Sequence, residues 1–190
     1  MRKVLLSISI SAVCFIACPR FSAAQEVVHA LTGSVSAINS NAKTITIFQD
    51  NGTQAVFSEP LGTKVRFDLD KKIADESTAA SSFAQQGAYA IVFYYGSLSN
   101  PTIVALKNLG KGPFAATVGK VTKVDNRSHS ISVSDEKGTI HTFDITANTV
   151  AEGDMGVVEG SKFRAQKGDQ VRVVSQTQDG VVTALFVKDM

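Results

Sequence analysis

Between Gly33 and Phe57 the chain reads "GSVSAINSNAKTITIFQDNGTQAVF". Val35, Ile45, Ile47, Ala55 and Phe57 recur every second residue within short runs, with polar residues between them. That period of two is the mark of strands with one buried face. "QDNG" (Gln49 to Gly52) interrupts the alternation and reads as a hairpin turn, with glycine free to adopt positive φ. Further strands are expected near Thr63 to Phe67, at Ala88 to Tyr95 and at Ile103 to Leu109. "IADESTAASSFAQQ" (Ile73 to Gln86) is the one stretch with a helical composition.

The same pattern returns 86 residues later. "GKVTKVDNRSHSISVSDEKGTIHTF" (Gly119 to Phe143) aligns without a gap on Gly33 to Phe57, with six identities, among them Gly33/Gly119, Val35/Val121 and Phe57/Phe143. "AQQG" (Ala84 to Gly87) then matches "AQKG" (Ala165 to Gly168), and "VALKNL" (Val104 to Leu109) is set against "TALFVK" (Thr183 to Lys188). The chain is therefore read as a duplication. Repeat one closes at residue 109, "GKGP" (110–113) connects, and repeat two runs over 114–190. Strands at Gln170 to Gln176 and Val181 to Val187 are the counterparts of the last two strands of repeat one. Five or six short antiparallel strands protect their edges by closing on themselves. The expected fold is all-β: two tandem, small, antiparallel OB-like β-barrels.

The N-terminus changes the picture of where the protein works. Arg2 and Lys3 precede an apolar run, Val4 to Ala17, which is short for a membrane span. "SAA" follows, with small residues at Ser22 and Ala24. This is the pattern of a secretory signal peptide, 1–24, cleaved after Ala24. The mature chain, 25–190, would be periplasmic or secreted, without a membrane span. "FIAC" also resembles a bacterial lipobox, so a lipid on Cys18 is the alternative. Cys14 and Cys18 both lie in the signal, so the mature chain has no disulfide and no cysteine ligand. Removing Arg2, Lys3 and Arg20 leaves 16 basic against 17 acidic side chains, a balance of −1. A near-neutral chain is a poor match for a phosphate backbone, and no nucleic-acid partner is expected.

Gly33-Val35, Gly87-Ala90-Val92 and Ala105, repeated as Gly119-Val121, Gly168-Val171-Val173 and Ala184, give the order G-x-V, a hairpin, G-x-x-V-x-V and a last strand carrying Ala. In this the chain resembles a family of exported bacterial domains of uncharacterised function, small OB-like barrels often found in tandem. The resemblance covers nearly all of the mature chain and implies a fold without implying chemistry. The chain is also distantly similar to periplasmic copper-binding barrels that accompany metal efflux pumps. Those use a cluster of Trp, Met and His. Here there is no Trp, and beyond Met1 the methionines are Met155 and Met190.

Catalytic or metal chemistry finds few residues to rest on. His129 and His141 fall on adjacent strands of one hairpin and could approach each other near Asp135 and Glu136. They align with Lys43 and Ala55, which reads as two solvent-facing residues, and a metal site wants three or four convergent ligands. Asp68 and Asp70 in "FDLD" precede two lysines and read as a solvated loop. "YGSLSN" (Tyr95 to Asn100) is a turn and no strand-to-helix elbow. "VGKV" (Val118 to Val121) lacks the first glycine and the hydroxyl residue of a phosphate loop. No catalytic residue, metal site or cofactor is assigned.

One stretch stands out. "GAYAIVFYY" (Gly87 to Tyr95) aligns with "GDQVRVVSQ" (Gly168 to Gln176). In repeat two Val171 and Val173 would point inward, with Gln170, Arg172, Val174 and Gln176 outward. By the same register Ala90 and Val92 point inward, and Tyr89, Ile91, Phe93 and Tyr95 outward, with Phe48 on the outer face of the neighbouring hairpin. An apolar stripe of this kind marks an interface. It would pack against repeat two or the Ile73 to Gln86 segment, self-associate or bind a protein partner, or stack a small ligand such as a glycan. The functional expectation is an exported, non-enzymatic two-barrel binding or assembly module. The alternatives are a soluble ligand-binding protein using this aromatic surface and, third, a periplasmic metal-binding protein.

Overall fold

The computed structural model describes residues 27–59 and 84–190. The segment expected to be a signal, with Cys14 and Cys18, the strand expected at Thr63 to Phe67, Asp68, Asp70 and nearly all of the helical candidate lie outside the described residues. The rest is all-β. Repeat one is built from β1 (His29–Asn39), β2 (Thr44–Gln49), β3 (Gln54–Ser58), β4 (Tyr89–Tyr95) and β5 (Thr102–Gly110). Repeat two is built from β6 (Ala115–Asp125), β7 (Ser130–Asp135), β8 (Ile140–Gly153), β9 (Gly156–Glu159), a 3₁₀ turn η1 (Gly160–Lys162), β10 (Gln170–Gln178) and β11 (Val181–Asp189).

Repeat one closes in the order β1-β2-β3-β5-β4. Repeat two follows the same route, β6-β7-β8-β11-β10, and β10 returns to β6. Both are small OB-like barrels. The closing parallel pair differs. In repeat one it is a single pairing, Ser58 with Thr102. In repeat two β8 runs on past the barrel and pairs with β11 from Thr183 to Lys188. The extra length of β8 also carries β9 on its other edge, through a turn at Asp154 and Met155.

The backbone repeats in detail. A bulge between Val35 and Ala37 in β1 is matched by one between Val121 and Lys123 in β6. At each bulge the valine N–H and C=O bond the chain entering β4 or β10. Such bulges bend a strand around a barrel corner. Gly33 and Gly119 sit two residues before, where a Cβ would collide with the carbonyl oxygen of Phe48 or Ser134 on the next strand. Only glycine allows that approach.

The alternation seen in the sequence separates three cores. Val35, Ile45, Ile47, Phe57, Ala90, Val92 and Tyr94 fill the first barrel. Val121, Ile131, Val133, Phe143, Val171 and Val173 fill the second. A third cluster lies between the barrels.

Strand pairing also revises the alignment of the two repeats. Phe93 pairs with Ala105, while Val174 pairs with Phe186. The offset at the last strand is therefore 81, the same as between "AQQG" and "AQKG", and two more than in the match of Val104 to Leu109 with Thr183 to Lys188. An even slip leaves every side chain on its own face, so alternation does not reveal it.

Candidate functional site

The stripe of repeat one is spent inside the molecule. Ile91 and Phe93 are 0% exposed and pack with Ala30, Val104, Ala105, Val150, Val174 and Phe186. Tyr89 and Tyr95 close the edges of this cluster with Phe114 and Val157. The Tyr89 and Phe114 rings lie 5.1 Å apart. Phe48 is apart from the rest, 46% exposed on the outer face of β2. Of the occupants weighed for the stripe, repeat two is the one that covers Ile91 and Phe93. The physical reason is that Val174 and Phe186, on the outer face of repeat two, offer the matching apolar area. Arg172, at the place of Ile91, shows why repeat two looked polar.

Charged groups frame this seam. The Arg172 guanidinium donates to Thr32 Oγ1 at 2.7 Å and pairs with Asp50. Tyr89 Oη donates to the same carboxylate. Burial, then the Asp50 hydrogen bond, push the Tyr89 phenol up to about 12. At the other side Glu152, on the extension of β8, is buried. It accepts from the Ala30 N–H at 2.9 Å and the Lys188 ammonium at 2.9 Å, and meets His29 Nδ1 at 2.9 Å. A buried carboxylate is tolerable because each oxygen is engaged. Tyr94, beside His29, is also pushed up to about 12, chiefly by burial and then by Glu152. Lys107 and Lys188 stand at equivalent places, and each reaches the other repeat, Lys107 to Asn148 O and Lys188 to Ala30 O. This is a structural clasp with its donors and acceptors matched.

The open site lies elsewhere, at one end of the second barrel. A cavity of about 310 Å³ is bounded by the β6–β7 turn, the middle of β8 and the segment from Gly160 to Ala165. Ile131, Ile145 and Phe163 form its apolar wall, and Asp125, Asn126, His129, Thr146, Ser161 and Arg164 stand around it. A barrel end needs a plug of side chains or a covering element. Here η1, three residues long, does that work. Gly160 is pressed so close to β8 that a Cβ would meet the Thr149 and Ile145 side chains. The cover holds one edge and leaves the rest open.

The polar groups of this mouth are unequal. Asp125 is already used: Lys123 Nζ donates to it at 2.9 Å, and the Arg127 and Ser128 N–H groups bond its other oxygen. The lysine first, then those two amides, hold its carboxyl down at about 2. Arg164 spends one nitrogen on the carbonyls of Ser161 and Phe163, at 3.0 and 3.1 Å. A guanidinium has five N–H donors. His129 occupies the turn at φ 50°.

The remaining candidates are dispersed. His141 pairs with Asp135 at 3.0 Å, and that contact comes first among those that lower the Asp135 carboxyl, followed by backbone N–H groups. His129 binds Ile145 through its carbonyl, whereas His141 lies opposite Val133. They are thus four residues apart along β8, about 13 Å at the rise of a strand. The hairpin therefore does not bring the two positions together. Ser97 and Ser99 bond one another at 2.6 Å in an exposed loop. Among the described residues no group of three or more His, Cys, Asp or Glu is placed to hold a metal. No helix among the described residues is long and apolar enough to cross a membrane.

Reading the sequence passed over Phe163, Arg164 and the β8–β9 hairpin. The hairpin had a signal: "VAE" and "VVE" flank "GDMG" (Gly153 to Gly156). Arg164 had none, because only the fold places it and His129 at the same mouth.

No family model matches the sequence, and no curated protein matches it. Among solved structures the chain is similar to Ag(I) CusF, at 16% identity and a TM-score of 0.32, over 41% of this chain and 99% of that one. It is similar at 17% identity and a TM-score of 0.32 to a tryptophan-to-alanine CusF variant with Cu(II) from Escherichia coli, over 40% of this chain and 91% of that one.

Proposed function

We propose that the protein is an exported, non-enzymatic binding module whose ligand site is the mouth of the second barrel. The carrying observation is the contrast between two surfaces. The aromatic stripe is covered by Val174 and Phe186, while the mouth keeps an open cavity of about 310 Å³ with an apolar wall and polar edge. That combination is typical of small-molecule sites, and the volume falls at the small end of their range. The balance of −1 for residues 25–190 and the dispersal of His, Asp and Glu among the described residues support a binding role over a nucleic-acid or metal one. Self-association through the stripe would require the two repeats to part.

The test is a set of backbone amide NMR spectra of the labelled protein against a small panel of aromatic acids, amides and sugars. Shifts gathered at Ile145 to Ala147 and Gly160 to Ala165 are expected. Shifts confined to Tyr89 and Tyr95, or none at all, would overturn the site. Export is checked separately by the mass of the protein recovered from cells, which should lack residues 1–24.

A further inference from the structure

The geometry points to a small amphipathic carboxylate as the ligand class of the second barrel's mouth, with Arg164 holding the carboxylate and Ile145 and Phe163 holding the apolar body. The inference rests on the mouth being the binding site and adds the chemistry that it selects.

Size comes first. Water takes about 30 Å³ per molecule in the liquid, so the cavity accommodates on the order of ten atoms of that size. An aromatic ring with a short acid arm matches that volume. Polarity comes next. Phe163 and Ile145 are half-buried and present the apolar surface of the wall, with Ile131 buried in the core behind them. A fully polar guest would leave that wall unmatched and would be desolvated without return.

Charge then decides between acid, amide and amine. The acidic group of the mouth, Asp125, is already engaged by Lys123 and by two backbone N–H groups. Glu159, at the start of η1, is paired with Lys162 at 3.2 Å. Arg164 has no carboxylate partner among the described residues, and its two hydrogen bonds go to carbonyls from a single nitrogen. Those carbonyls fix the side chain against the cover and leave its other donors available. A guanidinium presented this way matches the two oxygens of a carboxylate. A cationic guest would meet Arg164 with no free acid to offset the repulsion.

Phenylacetate and its neutral isostere phenylacetamide are the probes, titrated into the purified protein while the amides of Ile145 to Ala147 and Gly160 to Ala165 are followed. Binding of a fragment this small is expected in the millimolar range. Phenylacetate should bind about tenfold more tightly than the amide, the difference a charge-assisted bond makes. Arg164→Gln should abolish that preference and leave amide binding within about twofold. Arg164→Lys keeps the charge while loosening the carbonyl clasp, and should retain part of the preference. Equal binding of both probes at the mouth, unchanged in Arg164→Gln, would overturn the carboxylate class and leave the mouth as a site. Absence of shifts at the mouth from either probe at about 10 mM would overturn both.

Discussion

Phe93 and Val174 occupy the same place in the two repeats, three residues into the outer stripe, and they meet in one cluster between the barrels. Ile91 and Arg172 are likewise equivalent; one is buried apolar surface and the other ties Thr32 and Asp50 to the second repeat. The duplicated frame was kept in both copies, down to the bulge and the close-approach glycine. The outer faces diverged into complementary halves of one seam. A repeat that looks merely more polar than its twin has acquired the clasp for it.

The largest effect expected from breaking this complementarity is at Phe93. Phe93→Ala should cost about 3–5 kcal/mol, since a fully buried ring leaves a cavity. Val174→Ala, at the equivalent place, should cost about 2 kcal/mol, in line with its smaller buried side chain. Urea midpoints at constant slope would check both. The shared frame predicts the opposite, a symmetry: Gly33→Ala and Gly119→Ala should each cost about 2–3 kcal/mol, because each Cβ meets backbone that cannot move aside. A large difference between the two glycines would mean the repeats do not share their corner geometry.

Smaller effects separate clasp from surface. Glu152→Gln should cost about 2 kcal/mol by leaving the Lys188 ammonium without its counter-charge. Phe48→Ser, on the exposed outer face, should change stability by less than about 0.5 kcal/mol. Tyrosine ionisation gives a pH signature. Tyr89 and Tyr94 are raised to about 12 from 10.0, so the stability that their neutral forms provide is complete below pH 10 and is lost as pH climbs to about 12. Tyr94→Phe should flatten that alkaline loss, measured by thermal unfolding across pH 9 to 12.

Much of the fold was legible because alternation and turn chemistry are local. "QDNG" gave the first hairpin, and the gapless match at 86 carried it to the second repeat with the common frame, including Gly33 and Gly119. The stripe on Tyr89, Ile91, Phe93 and Tyr95 was legible as an outer face because the twin served as a control. Its cover was not, since that depends on how two closed barrels meet, and no periodicity encodes it. The two-residue slip in β11 was invisible for a related reason: an even shift preserves the pattern of faces. The mouth was hidden further still. Its members come from a turn, a strand and a 3₁₀ cover separated by up to 41 residues between Val124 and Ala165, and Arg164 reads in isolation as an ordinary solvated charge.

The claim underneath the functional reading is that the seam makes one body of the two barrels. Equivalent turn amides, Gly52 in repeat one and Gly138 in repeat two, can be followed together by NMR through a urea titration of the wild type and of Phe93→Ala. Coincident midpoints in both proteins, with both amides shifted to lower urea by the substitution, are the predicted result. Separate midpoints, with Gly138 indifferent to Phe93→Ala, would contradict the seam and return the stripe to the surface as a site for another molecule.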